Sequence, residues 1–158
     1  MMNTEIDNPI FVFPYKESMS EELKNSLLLS TNEFLLNWNA HGQPLHANAR
    51  LEESQFLILE LTEGMPSGCS KDRLFHGLEE INQKLGIQFE SFGKFLAEWK
   101  GSVHSLSIKE LKQNILNTDF LDNARLFPSW ISTRSQYELL WKNPLSSFPA
   151  FLPSTDLV

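Results

Sequence analysis

The sequence predicts an α+β fold, a single domain over residues 1–158 in which an antiparallel or mixed sheet carries about four packed helices. Three observations predict it. Leu45, Ala47, Ala49 and Leu51 alternate with polar neighbours and are followed, after a short turn, by the apolar run Phe56 to Leu61, the pattern of an antiparallel hairpin whose second strand is buried on both faces. Stretches of helical period, each opened by a serine or threonine, lie between the strands. With 41% hydrophobic and 11% aromatic residues, the chain has enough apolar material for one packed core.

Taken in order, Ile10 to Phe13 reads as a short buried strand bracketed by Pro9 and Pro14. Ser18 and Glu21 have capping-box spacing, and Leu23, Leu27, Phe34, Leu35 and Trp38 recur near helical period, so a first helix is expected from about Met19 to about Asn37. Gly42 suits the left-handed end of that helix, and Pro44 blocks its continuation. The hairpin follows, its turn at Glu52 to Gln55 and its second strand central in the sheet. Ser70 as N-cap, Asp72 in the first turn, and the stripe Leu74, Leu78, Ile81 and Leu85 ending before Gly86 specify a second helix.

Further on, strands are expected in Phe92 to Trp99 and Val103 to Leu106 around a Lys100-Gly101 turn. Ser107 and Glu110 open a short third helix, with Leu106 and Leu111 placed as a hydrophobic staple. Ala124 to Phe127 reads as a strand stopped by Pro128, and Thr133 with Gln136 opens a fourth helix carrying Tyr137, Leu140 and Trp141. From Pro144 the chain becomes a proline-rich tail, residues 144–158, expected as coil that packs Phe148, Phe151 and Leu152 onto the body.

Charge and cysteine content narrow the function classes. A net charge of -7, from 20 acidic and 13 basic residues, disfavours nucleic acid as a partner, because neutralising phosphates needs clustered Lys and Arg. No apolar run approaches the roughly 18 residues of a membrane helix, and Met1 to Phe11 lacks the pattern of a signal peptide, so no membrane association is expected. Cys69, the single cysteine, cannot form an intrachain disulfide, which fits a reducing, cytoplasmic location. Self-association is compatible with the composition.

The candidate site is the small-residue turn between the central strand and the second helix. Gly64 and Gly68 permit close backbone approach, and the helix start aims unpaired N–H groups at that spot. With the turn after the first helix brought to the same end of the sheet, the expected lining is Trp38, His41, Gly42, Glu63, Ser67, Gly68, Cys69, Ser70 and Asp72. Two readings follow: a non-enzymatic protein that binds a small ligand or a protein partner there, or a cysteine-dependent enzyme or thiol redox sensor in which His41 serves Cys69 as base. Against the second stands a plain role for Cys69 as a small, half-buried residue filling the turn and for His41 as a helix cap. His41, His46, His76 and His104 lack metal-ligand spacing and Cys69 has no CxxC partner, so neither a metal nor a cofactor is expected. Glu60 is read as part of a sheet face and Glu63 as a solvated loop residue.

Trp38, His41 and Gly42 form a WxxHG pattern, and Ser67-Gly68-Cys69-Ser70 with Asp72 forms SGCSxD. Together with Phe13-Pro14 and Pro144-Leu145 these motifs resemble an uncharacterised family of small bacterial proteins often labelled "ABC transporter ATPase". The resemblance covers most of the chain and implies no established activity. The chain departs from that pattern at Lys71, usually apolar, at Pro128-Ser129, usually an Asn pair, and at Ser147-Phe148, usually Ser-Trp. The transporter label itself finds no support in the residues, because a P-loop needs GxxxxGK[ST] and, counting from Gly64, the Gly-Lys-Ser/Thr positions hold Cys69, Ser70 and Lys71. No ATPase activity is expected.

Overall fold

The computed structural model describes residues 6–152, so residues 1–5 of the segment read for a leader, and Pro153 onward in the tail, lie outside the described residues. The expected α+β class is what it contains, with antiparallel sheets and α-helices interleaved along the chain. Contacts gather the chain into two compact units, one made of the residues up to Glu90 together with Trp130–Tyr137, the other of Ser91–Ser129 and the residues from Glu138 onward.

The first unit opens with β1 (Ile10–Pro14), α1 (Glu21–Leu35), the short β2 (Asn39–Ala40) and β3 (Gln43–Pro44), then β4 (His46–Glu52), β5 (Phe56–Glu63) and α2 (Gly68–Leu85). β1, β5 and β4 form an antiparallel sheet with β5 in the middle, as its unbroken apolar run predicts, and every residue from Phe56 to Leu61 is buried. Leu57, Leu59 and Leu61 of β5 meet Leu27 and Leu35 of α1 and Leu74 and Leu78 of α2 in one core. Each such leucine contributes about 1.5–3 kcal/mol relative to exposure. The two helices approach closely at Gly77, where an added Cβ would stand 2.3 Å from the Phe34 ring.

The second unit holds β6 (Phe95–Trp99), β7 (Ser102–Leu106), α3 (Ile108–Asn114), α4 (Thr118–Asn123), β8 (Arg125–Phe127) and, after α5 (Arg134–Leu140), β9 (Asn143–Pro144). Its sheet runs β7-β6-β8-β9 over a core of Leu111, Phe120, Ala124, Leu126, Leu145 and Phe148. Lys100 and Gly101, both at positive φ, turn β6 into β7, the backbone that a two-residue hairpin demands. The capping box is also present: Ser107 Oγ accepts from Glu110 N at 3.1 Å, and the Glu110 carboxylate accepts from Ser107 N at 3.3 Å.

Several expectations are corrected. α1 is capped by Ser20, whose Oγ accepts from Leu23 N, rather than by Ser18, and it ends at Leu35. Gly42 therefore does not end the helix; His41 (φ 50) and Gly42 (φ 78) are the two-residue turn between β2 and β3. The strand expected from Phe92 begins at Phe95. α4, capped by Asn117, is a fifth helix where about four were expected. The tail is not plain coil, for Leu145–Ser147 and Pro149–Phe151 form 3-10 turns, with Leu145 and Phe148 buried.

Candidate functional site

At the amino end of α2 the polar groups of the expected site hold one another. Ser67, not Ser70, is the N-cap: its Oγ accepts from Ser70 N at 3.1 Å, while Ser70 Oγ accepts from Ser67 N at 2.7 Å and donates to Ser67 O at 2.8 Å. Trp38, only 2% exposed, donates its indole Nε1 proton to Ser70 O at 2.8 Å. That bond ties the segment before β2 to the first turn of α2. Gly64 (φ +96) provides the close approach, since a Cβ there would meet Leu45 Cδ2 at 2.6 Å and the Pro44 carbonyl at 3.1 Å. Gly68 does not, because the space around it is open.

Cys69 is exposed on the first turn of α2 rather than half-buried, and His41 sits exposed at the tip of the β2–β3 turn rather than capping α1. Asp72 lies exposed beyond the first turn. Glu63 is exposed and stands 3.7 Å from His46 Nε2. Glu60, by contrast, is buried in β5, where it accepts from Asn8 Nδ2 at 3.0 Å and Arg134 at 3.1 Å. Those partners fasten the Trp130–Tyr137 segment to the sheet, together with the bonds from Ser135 to the Asp7 carboxylate, which hold the Asp7 pKa below the ordinary aspartate value.

About 20 Å away along α2, at its carboxyl end, lies a pocket of about 550 Å³. It is lined by residues 15–19 with Leu23 and by Asn82, Gln83 and residues 86–88. The volume is within the range of small-molecule sites, about 300–1,000 Å³. Local backbone pairing builds the walls: Lys16 N donates to Gln88 O at 3.0 Å, Glu90 N donates to Pro14 O at 2.8 Å, and Gly86 (φ 71) turns the chain out of α2. Tyr15, 1% exposed, donates its phenol proton to Asn82 Oδ1 at 2.8 Å, and burial pushes its pKa well above the ordinary phenol value.

Asn82 is the unusual residue. It is 5% exposed and continues the buried row Leu74, Leu78, Asn82 at four-residue spacing, a polar amide where the helix face calls for an apolar side chain. Its Oδ1 is engaged by Tyr15, but its Nδ2 amino group donates to no group among the described residues. The amino group keeps access to solvent, since the buried side-chain atoms without a partner among the described residues are Thr31 Oγ1 and Ser105 Oγ. The site residues read from the sequence lie at the other end of α2 and do not include Asn82, an amide at a core position of the helix.

The remaining side chains group less informatively. Among the described residues no cluster of three or more His, Cys, Asp and Glu is arranged to hold a metal ion, and no helix is long and apolar enough to cross a membrane. Searches against protein-family models, curated proteins and solved structures return no match for the chain.

Proposed function

We propose that the chain is a non-enzymatic binding protein whose site is the pocket between Tyr15 and Asn82. The observation that carries this reading is the pocket itself, about 550 Å³ and so of ligand size, lined by polar and apolar side chains including Tyr15, Asn82, Met19 and Ile87. Titrating a library of small metabolites against 15N-labelled protein tests it through the side-chain amide resonances of Asn82. Compounds that shift those resonances together with the backbone of Ile87 support it; a library that leaves both unmoved removes it. The reading includes a cytoplasmic location, argued from the lone cysteine, and no nucleic-acid partner, argued from the net charge of -7.

A second reading makes the chain a thiol enzyme or redox sensor and draws on the exposure of Cys69 at the start of α2. Its test is the rate of Cys69 alkylation at pH 7 in the native protein and in His41→Ala. Fast alkylation that slows in the variant supports a dyad. Slow, unchanged alkylation leaves Cys69 as a plain surface thiol.

A further inference from the structure

We infer that the open edge of β4 is an interface on which a second copy of this chain pairs, antiparallel and about a two-fold axis at Ala49. The inference goes beyond the pocket reading and does not rest on it. The sheet runs β1-β5-β4, so β1 and β4 are its edges. β1 is closed at both ends by its own chain, where Thr133 bridges Pro9 and Phe89 bridges Tyr15. β4 has no such cover among the described residues, and none of its residues is fully buried.

The direction of its backbone groups follows from the ladder. Leu61 N donates to Pro9 O, so the odd residues of β5 face β1, while Phe56, Ile58 and Glu60 face Glu52, Arg50 and Asn48 of β4. The N–H and C=O groups of Ala47, Ala49 and Leu51 therefore point out of the sheet. His46 O, on the β5 side, accepts from Thr62 Oγ1 at 3.1 Å, so the alternation holds through the register shift at His46 and Ala47. Among the described residues no hydrogen bond occupies the outward groups. Such an edge is a template for another strand.

Symmetry and charge select the occupant. A two-fold at Ala49 sets Ala49 against its own copy and Ala47 against Leu51, so every outward group finds a partner and a methyl, not a bulky side chain, lies at the axis. On the other face of β4 the same register places Arg50 opposite Asn48 and Glu52 opposite His46, a guanidinium with an amide and a carboxylate with an imidazole. An axis at Arg50 would set that guanidinium against itself and leave Ala47 facing Glu53 in the turn. One at Asn48 would leave Leu51 facing Leu45, whose N–H is already bonded to Trp38 O.

The experiment follows full-length protein by sedimentation equilibrium and amide hydrogen exchange over a range of protein concentrations. A dimer is expected, with the amides of Ala47, Ala49 and Leu51 exchanging at least about tenfold more slowly at high concentration than at low, and those of Asn48, Arg50 and Glu52, already in the ladder, changing less. Asn48→Lys alters an exposed side chain and sets a lysine opposite Arg50, so it should weaken the dimer at least about tenfold. Ala49→Pro removes the central outward donor without taking a bond from the β4–β5 ladder and should abolish the dimer; if that variant loses its fold, Asn48→Lys decides alone. A monomer at every concentration overturns the inference. So does a dimer whose Ala47, Ala49 and Leu51 amides stay unprotected, or one that Asn48→Lys leaves as tight as the parent.

Discussion

The phenol of Tyr15 donates a 2.8 Å hydrogen bond to Asn82 Oδ1, joining the end of β1 to the last turn of α2. Tyr15→Phe strands a buried amide oxygen and Asn82→Leu strands a buried phenol, so each single change should cost about 1–3 kcal/mol. The double variant Tyr15→Phe/Asn82→Leu replaces both partners with apolar groups and should recover most of the loss. Urea unfolding of the four proteins measures the coupling. Strictly additive losses would show that the bond contributes nothing beyond its two side chains.

The same phenol sets an alkaline limit. Its folded pKa is raised above the ordinary value of 10.0, chiefly by burial, so the folded state holds this proton more tightly than the unfolded chain does. The associated stability is complete below about pH 10 and is lost as the pH rises beyond it toward the folded value. Urea midpoints measured upward from pH 9 should fall, and Tyr15→Phe should lessen the fall. Tyr137, also raised by burial, leaves a remainder. A variant as sensitive to alkali as the parent would contradict this assignment.

Much of the fold was legible because local chemistry and tertiary packing agree. The apolar run of β5, the Ser107–Glu110 box and Gly86 each have one strong interpretation, and the structure uses all three. Ambiguity arose where two serines compete. Ser67 and Ser70 are three residues apart, and either can serve as cap until the backbone chooses; Ser18 and Ser20 posed the same choice two residues apart. α4 has only six residues, too few to display a helical period. Trp38 and Ser70 meet across 32 positions, a pairing that no local pattern encodes. Asn82 was visible, but its meaning depends on Tyr15, 67 positions away.

Gly77→Ala should oppose helix propensity. In an exposed helix the change gains about 1 kcal/mol, but here the new methyl would lie 2.3–2.8 Å from Phe34 ring atoms. Relieving that contact by shifting the ring or separating α1 from α2 costs about 1–3 kcal/mol. The melting temperature should therefore fall, and it should rise when the same change is made in a Phe34→Leu background. A rise in the parent background would show that the ring moves freely.

Purified protein with ATP and magnesium should release phosphate only at background, since, counting from Gly64, Cys69, Ser70 and Lys71 at the start of α2 stand where a P-loop needs Gly-Lys-Ser/Thr. Steady turnover that disappears in Lys71→Ala would overturn this expectation.

Ser67→Ala should cost about 1 kcal/mol, the usual worth of an N-cap hydroxyl, because Ser70 N loses its acceptor. Ser70→Ala should cost more. Its hydroxyl both accepts from Ser67 N and donates to Ser67 O, and the residue is 2% exposed, so water cannot readily replace these bonds. The size of the Ser67→Ala loss distinguishes the observed cap from the alternative in which Ser70 starts the helix, where Ser67 would contribute little. Trp38→Phe completes the series, removing the donor to Ser70 O while keeping most of the aromatic surface, and its cost should be additive with neither serine change. Urea midpoints for the three single and two double variants measure this, and a Ser67→Ala midpoint equal to that of the parent would refute the capping geometry.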